Sequence, residues 1–171
     1  MKRWTKTAAT MIPATAAVLL SGCAGSGVSS GQAATVDGTT IAASDLQEVT
    51  AQFNAVAQQP TTPTQVLDTL IKAPALEEMV AGSGQEITDN ELLAQLAQLP
   101  GAPAEPNRLM ADYLHGLVYS QMVGDSAPPD LFADLDVQVN PRYGTWDPET
   151  VSLADATPEW ITTELPGEDG N

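Results

Sequence analysis

The chain has 171 residues, of which 22 are acidic and 6 are basic, so its formal net charge at pH 7 is −16. This excess of negative charge repels nucleic acid and anionic lipid head groups, and we expect neither as a ligand. The length suits one domain with terminal tails, and the single Cys excludes an intramolecular disulfide.

The first 22 residues have the three parts of a secretory signal peptide. Three basic residues lie within the first six positions, and the apolar run that follows is too short to span a bilayer stably. Leu-Ser-Gly-Cys at 20–23 resembles a bacterial lipobox, which implies cleavage before Cys23 and lipidation of that residue. The resemblance implies that the protein lies at the extracytoplasmic face of the cell membrane. The cleaved chain keeps three basic residues and 22 acidic ones, so its formal charge is about −19. The alternative is an ordinary secretory signal that leaves Cys23 as a free thiol.

The residues after the leader predict a tether, a strand, a turn and a helix. Positions 23–33 are rich in Gly and Ser, as flexible linkers are. Ala34–Val36 is predicted to be extended, and Asp37-Gly38 to form a tight turn, because Gly accepts a positive φ. Ser44 is predicted to cap a helix over 44–58. The apolar face of this helix repeats at spacings of three and four, at Leu46, Val49, Phe53 and Val56.

A second helix is predicted to begin after Thr62, with Pro63 at its first position, where the missing N–H of proline has no cost. Pro74 is predicted to interrupt or kink it, because proline removes one backbone hydrogen bond. The apolar residues on its inner face are Val66, Leu67, Leu70, Ile71, Leu76, Met79 and Val80.

Two further helices follow. Thr88 and Glu91 have the spacing of a capping box, which predicts a short amphipathic helix with Leu92, Leu93, Leu96 and Leu99 on its apolar side. Asn107 is predicted to cap a longer helix over 108–123. Apolar residues cover much of the surface of this helix, which therefore should be largely buried.

The C-terminal part predicts one strand and an irregular tail. Leu135, Val137 and Val139 alternate with polar residues, a pattern typical of a strand with one buried face. Asn-Pro ends this strand, and Arg-Tyr-Gly predicts a turn. Residues 148–171 are acidic and contain proline, so we expect a mostly irregular tail, anchored at Trp160 and Ile161.

Two segments resemble the N-terminal chaperone domain of the SurA/PrsA/trigger-factor-like group. The first is Ala34–Phe53, ATVDGTTIAASDLQEVTAQF, and the second is Val137–Asp147, VQVNPRYGTWD. The resemblance covers about 34–147 and implies a mainly α fold, a small helical bundle. A short two-stranded sheet that pairs Thr35–Val36 with Val137–Val139 is expected to close this bundle.

The sequence offers few groups for catalysis, and we expect no enzyme activity, no cofactor and no metal. His115 is the only His, and on a buried helix it is interpreted as a structural residue rather than a general base. Asp130, Asp134 and Asp136 lack the Gly and the distal Glu of a calcium loop. No segment has the length and composition of the parvulin prolyl-isomerase domain that SurA-like and PrsA-like proteins often carry.

The resemblance implies a membrane-tethered, non-catalytic chaperone-like module that binds unfolded or newly exported polypeptides. Six apolar residues are candidates for peptide contact: Phe53, Met79, Met110, Tyr113, Leu117 and Met122. Methionine adapts to varied partners because its side chain is unbranched; the alternative interpretation is that these methionines fill the core. The alternative hypothesis is a structural lipoprotein that binds one specific envelope partner, with the acidic, Trp-containing residues 146–171 as the docking segment.

Overall fold

A computed structural model of the chain describes residues 28–124, 128 and 130–154. The leader, Cys23, Trp160 and Ile161 lie outside these residues. The described part contains four helices and two small antiparallel sheets, so the fold is mixed α/β rather than plainly a helical bundle. The strands are β1 Gln32–Val36, β2 Thr39–Ala42, β3 Val137–Val139, β4 Thr145–Asp147 and β5 Ser152–Ala154; the helices are α1 Ala43–Asn54, α2 Pro63–Val80, α3 Asp89–Leu96 and α4 Met110–Val123.

Strand β1 lies at the centre of the first sheet, whose order is β2-β1-β3. The predicted pairing of the N-terminal and C-terminal segments is confirmed, since Ala34 lies opposite Val139 and Val36 opposite Val137. The prediction of a two-stranded sheet is wrong, because β2 pairs with the other side of β1. Asp37 and Gly38 both have positive φ, 48° and 78°, the geometry that folds two strands directly into a hairpin.

Polar side chains fix the two ends of the β1–β3 pair. Asn140 donates its side-chain N–H to the carbonyl of Gln32, 2.9 Å away, and its backbone N–H to Ala33. At the other end, the carboxylate of Asp37 accepts a hydrogen bond from the backbone N–H of Asp136 at 2.9 Å. The sheet therefore joins positions about 100 residues apart in the chain through backbone and side-chain hydrogen bonds.

Two of the four predicted helix caps are confirmed. Thr62 and Thr88 each accept from the backbone N–H three residues on, and in both cases the side chain of that third residue bonds back to the Thr N–H. The predicted Ser44 cap is wrong: α1 begins one residue earlier, directly from β2, and the N–H of Ala43 donates to the carbonyl of Gly31. Helix α1 also ends at Asn54 rather than at 58.

The predicted start of α4 also differs from the structure, here because the helix begins two residues later than predicted. Asn107 forms a turn before α4, in which its side chain accepts from the N–H of Leu109, and the helix begins only at Met110. Within α2, Pro74 does not interrupt the helix, which continues to Val80.

Helices α2 and α4 pack closely because Gly116 has no side chain. A Cβ atom at this position would lie 2.7 Å from Cγ2 of Thr69 and 3.0 Å from its carbonyl oxygen. The main core fills the space between these helices, α1 and the sheet. Its fully buried large side chains include Leu46, Val49, Val66, Leu67, Ile71 and Met110, and Tyr119 belongs to a second cluster with Leu76 and Phe132.

The segment predicted as an irregular tail contributes a strand at 152–154, which pairs with β4. This hairpin is held on α2 by Asp68, whose carboxylate accepts from the N–H of Leu153 at 2.9 Å and pairs with Lys72 at 2.6 Å. The fold therefore continues beyond Asp147, the boundary predicted from sequence.

Candidate functional site

A groove between α3 and α4 has a mostly apolar wall. Its volume is about 430 Å³. It is lined by six apolar and two amide side chains: Phe53, Leu92, Leu96, Leu99, Leu114, Val118, Gln95 and Gln98. An open apolar surface of this kind fits an apolar ligand, since its burial against the wall removes both surfaces from water.

Helix α3 supplies one wall of this groove, and its capping box fixes where the helix begins. The carboxylate of Glu91 accepts hydrogen bonds from the backbone N–H and from the hydroxyl of Thr88, both at 2.9 Å. These two bonds lower the pKa of Glu91, the backbone bond more than the hydroxyl bond. Leu92 and Leu96 are buried and hold α3 to the body. Leu99 lies in the turn after the helix and is 47% exposed, so it contacts solvent at the groove mouth.

The opposite wall comes from α4 and α1. Leu114 and Val118, one helical turn apart on α4, are half-buried and face the groove. Phe53 of α1 lies at one end, where its ring meets the ring of Tyr113 edge to face with centroids 4.9 Å apart. The groove is therefore built on packed helices, which preorganise its wall.

A second, smaller groove lies at the ends of α2 and α4. Its volume is about 220 Å³, and its lining includes Met79 and Met122, which are 39% and 43% exposed. The side chains that complete it are Val80, Ser83, Gln85 and Val123. Leu99, Met79 and Met122 are the large apolar side chains that the described residues leave exposed.

The six residues predicted for peptide contact do not form one site. Phe53 lines the α3–α4 groove, and Met79 and Met122 share the smaller groove. Met110 is fully buried and Tyr113 is 2% exposed, so their prediction as peptide contacts is corrected: both face the core because α4 packs on α2 along that side. Leu117 is half-buried and borders a different cleft, which Tyr113 also lines.

That different cleft is larger, about 780 Å³, but half of its wall surface is polar. It lies between the first turns of α2 and strand β5, and its lining includes Thr61, Thr62, Gln65 and Asp68. Hydroxyl and amide groups of this kind are well hydrated, so the cleft offers an apolar chain a smaller gain for each Å² buried than the α3–α4 groove does. We therefore place the candidate site at the smaller, apolar α3–α4 groove.

Sequence reasoning missed most of the α3–α4 groove. The apolar periodicity of α3 identified Leu92, Leu96 and Leu99 as one face, but did not show that this face leaves an open groove against α4. Leu114 and Val118 were assigned to a largely buried helix. The difference in length between the two helices is a signal that could have indicated the groove. The eight residues of α3 are too few to cover the fourteen residues of α4.

His115 is buried, with 3% of its surface exposed, as predicted for a structural residue. Its Nε2 lies 2.9 Å from the Oδ1 atom of Asp89, and its ring packs against Tyr119 with centroids 5.1 Å apart. The Nδ1 atom is buried and has no hydrogen-bond partner among the described residues. These contacts tie the start of α3 to α4.

Among residues 28–124, 128 and 130–154, no three His, Cys, Asp or Glu side chains come together as a metal site would require. None of the helices in this part of the chain combines the length and the apolar character needed to cross a membrane. Comparisons with protein-family models, with curated proteins and with solved structures each find no match. The resemblance to SurA/PrsA-like domains stays a prediction.

Proposed function

We propose that the protein is a non-catalytic, chaperone-like module of the SurA/PrsA type. It is tethered to the extracytoplasmic face of the membrane through lipid on Cys23, and it binds unfolded or newly exported polypeptides. The observation that carries this proposal is the α3–α4 groove, which leaves Leu99 47% exposed beside a wall of apolar side chains.

An apolar wall suits clients of varied sequence because hydrophobic contact is non-directional. Burial of apolar surface contributes roughly 25 cal/mol for each Å² removed from water, and it sets no requirement for a particular hydrogen-bond pattern. The exposed thioethers of Met79 and Met122 extend this surface with side chains that adapt to different partners.

The charge of the protein fits the same function. After cleavage before Cys23, a formal charge of about −19 keeps a complex with an apolar chain in solution by repulsion between complexes. It also favours clients that carry basic residues, and it disfavours nucleic acid and anionic lipid.

Suppression of aggregation tests this proposal. The full chain, held in nanodiscs of zwitterionic lipid, is mixed at equal molar amounts with several unrelated clients that aggregate on reduction or heating. We expect light scattering to fall relative to empty nanodiscs. The absence of suppression for every client would reject the proposed function.

A pair of charge-matched variants assigns that activity to the groove. Leu99→Glu introduces a carboxylate at the exposed groove mouth, whereas Gln138→Glu adds the same charge on the exposed side of β3. We expect Leu99→Glu to reduce suppression severalfold and Gln138→Glu to leave it unchanged. An equal effect of both variants on suppression would show that the groove is not where the client binds. Recovery of one dominant envelope partner in a pull-down, with no general suppression, would favour the alternative of a partner-specific lipoprotein.

A further inference from the structure

The two apolar grooves lie along one row of side chains on α4. Leu114, Val118 and Met122 are spaced by four residues, so they lie on the same face of the helix. The first two line the α3–α4 groove, and Met122 lines the smaller groove with Met79. The eight residue steps from Leu114 to Met122 correspond to a rise of about 12 Å along α4. An extended polypeptide covers that distance with about four residues.

The segment from Gln85, which lines the smaller groove, to Leu92, which lines the α3–α4 groove, carries three exposed carboxylates, at Glu86, Asp89 and Glu91. It is held to α4 because the backbone N–H of Ile87 donates to the hydroxyl of Tyr119 at 3.1 Å. The carboxylate of Glu86 accepts from the backbone N–H of Gly82. The side chain of Asp89 is 68% exposed even though it contacts His115. Negative charge is therefore fixed beside the apolar row.

Basic side chains in the described part of the chain lie elsewhere. Lys72 pairs with Asp68, and Arg108 pairs with Asp45, both at 2.6 Å. The third, Arg142, lies over the ring of Tyr143 after strand β3. The carboxylates beside the grooves thus have no Lys or Arg partner among the described residues.

We propose that the two grooves together hold one polypeptide segment of defined pattern, with apolar side chains at both ends of a basic centre. One apolar side chain enters the α3–α4 groove, another about four residues away enters the Met79–Met122 groove, and Lys or Arg between them faces Glu86 and Glu91. This inference rests on the proposed function and adds the class of segment that is preferred. Charge complementarity selects this occupant, because an acidic or neutral segment gains the apolar contacts but not the ion pairs.

Matched peptides test this preference. Three fluorescent peptides share the same two apolar positions and differ only at the centre, which is Lys-Lys, Ser-Ser or Glu-Glu. Binding to the full chain in zwitterionic nanodiscs is measured by fluorescence anisotropy at low and at high salt. We expect the Lys-Lys peptide to bind at least tenfold more tightly than the Glu-Glu peptide at low salt. The difference should shrink at about 1 M salt, where the Debye length is about 3 Å.

Two double variants locate the charge effect. Glu86→Gln with Glu91→Gln removes two charges beside the grooves and keeps the capping box, which accepts Gln as well as Glu. Asp136→Asn with Glu149→Gln removes two exposed charges elsewhere and is the control for net charge. We expect the first pair to weaken binding of the Lys-Lys peptide about threefold to tenfold, since two exposed ion pairs are lost and each contributes modestly. The control should change it less than twofold.

The outcomes separate this inference from the proposed function. Equal binding of all three peptides would overturn the preference for a basic centre and leave polypeptide binding intact. If both double variants weaken binding of the Lys-Lys peptide equally, the preference for a basic centre comes from the net charge of the whole surface. That result would overturn the two-groove site. No binding of any peptide would overturn both proposals.

Discussion

Asp112 has a carboxyl group whose pKa is raised from its ordinary value of 3.8, first by partial burial and then by the carboxylate of Asp89. The folded protein therefore binds this proton more tightly than the unfolded chain does. Tighter binding of this proton contributes to the free energy of unfolding when the pH is below the pKa of the unfolded chain. This contribution is lost as pH rises through the pKa of the folded protein.

We expect Asp112→Asn to raise the free energy of unfolding at pH 7 by up to about 1 kcal/mol, because solvent screens the charge of a partly exposed carboxylate and keeps its effect on stability small. The gain should shrink as pH falls toward 4. Urea unfolding over this pH range measures it, with Asp136→Asn as the control that removes an equal charge from an exposed site outside α4. A variant less stable than the wild type at pH 7 would show that the dipole of α4, which favours an acid in its first turn, outweighs the burial.

The hydroxyl of Thr62 accepts the backbone N–H of Gln65 at 3.2 Å and so caps α2. We expect Thr62→Ala to lower the free energy of unfolding by about 1 kcal/mol, the usual effect of losing an N-cap. Thr64→Ala is the matched control, since Thr64 lies within the first turn and has no cap role. Chemical denaturation measures both; equal effects would contradict the cap assignment.

At the scale of elements, the close approach of α2 and α4 depends on Gly116. Although Gly→Ala stabilises an exposed helix by about 0.5–1 kcal/mol, a Cβ here would meet the carbonyl oxygen of Thr69 at 3.0 Å. We expect Gly116→Ala to lower the free energy of unfolding by about 1–3 kcal/mol, as overpacking does.

Gly31→Ala is the control for that substitution, because a Cβ at Gly31 meets nothing within 4 Å. We expect it to unfold at the wild-type denaturant concentration. A Gly116→Ala variant that is as stable as the wild type would mean that the helices separate at no cost, and the packing account would be wrong.

Local signals predicted the elements better than they predicted the contacts between them. Thr62 and Thr88 caps were predictable because each cap is made within four residues. The start of α1 was not, because its first N–H is satisfied by Gly31, twelve residues earlier, through the β1–β2 hairpin. Strand β5 is fixed by Asp68 of α2, and the α3–α4 groove depends on how two helices of unequal length pack. Neither arrangement leaves a periodic pattern in the sequence.

At the scale of the whole molecule, the excess of 22 acidic over 6 basic residues produces self-repulsion in the compact state. Two of the three basic side chains after Cys23 are already engaged in ion pairs within the fold. We expect the free energy of unfolding to rise between about 10 mM and 1 M NaCl, as the Debye length falls from about 30 Å to about 3 Å. Urea unfolding at both salt concentrations measures this; a fall with salt would mean that local ion pairs outweigh the repulsion.

The α3–α4 groove is where we propose that an unfolded polypeptide binds. Methyl NMR of the full chain in nanodiscs, titrated with an apolar, basic-centred peptide, reports on this binding residue by residue. We predict that the methyl signals of Leu99, Leu114 and Val118 shift or broaden, while those of the core residues Leu46 and Val66 stay in place. Unchanged groove signals at peptide concentrations that saturate binding would contradict the account.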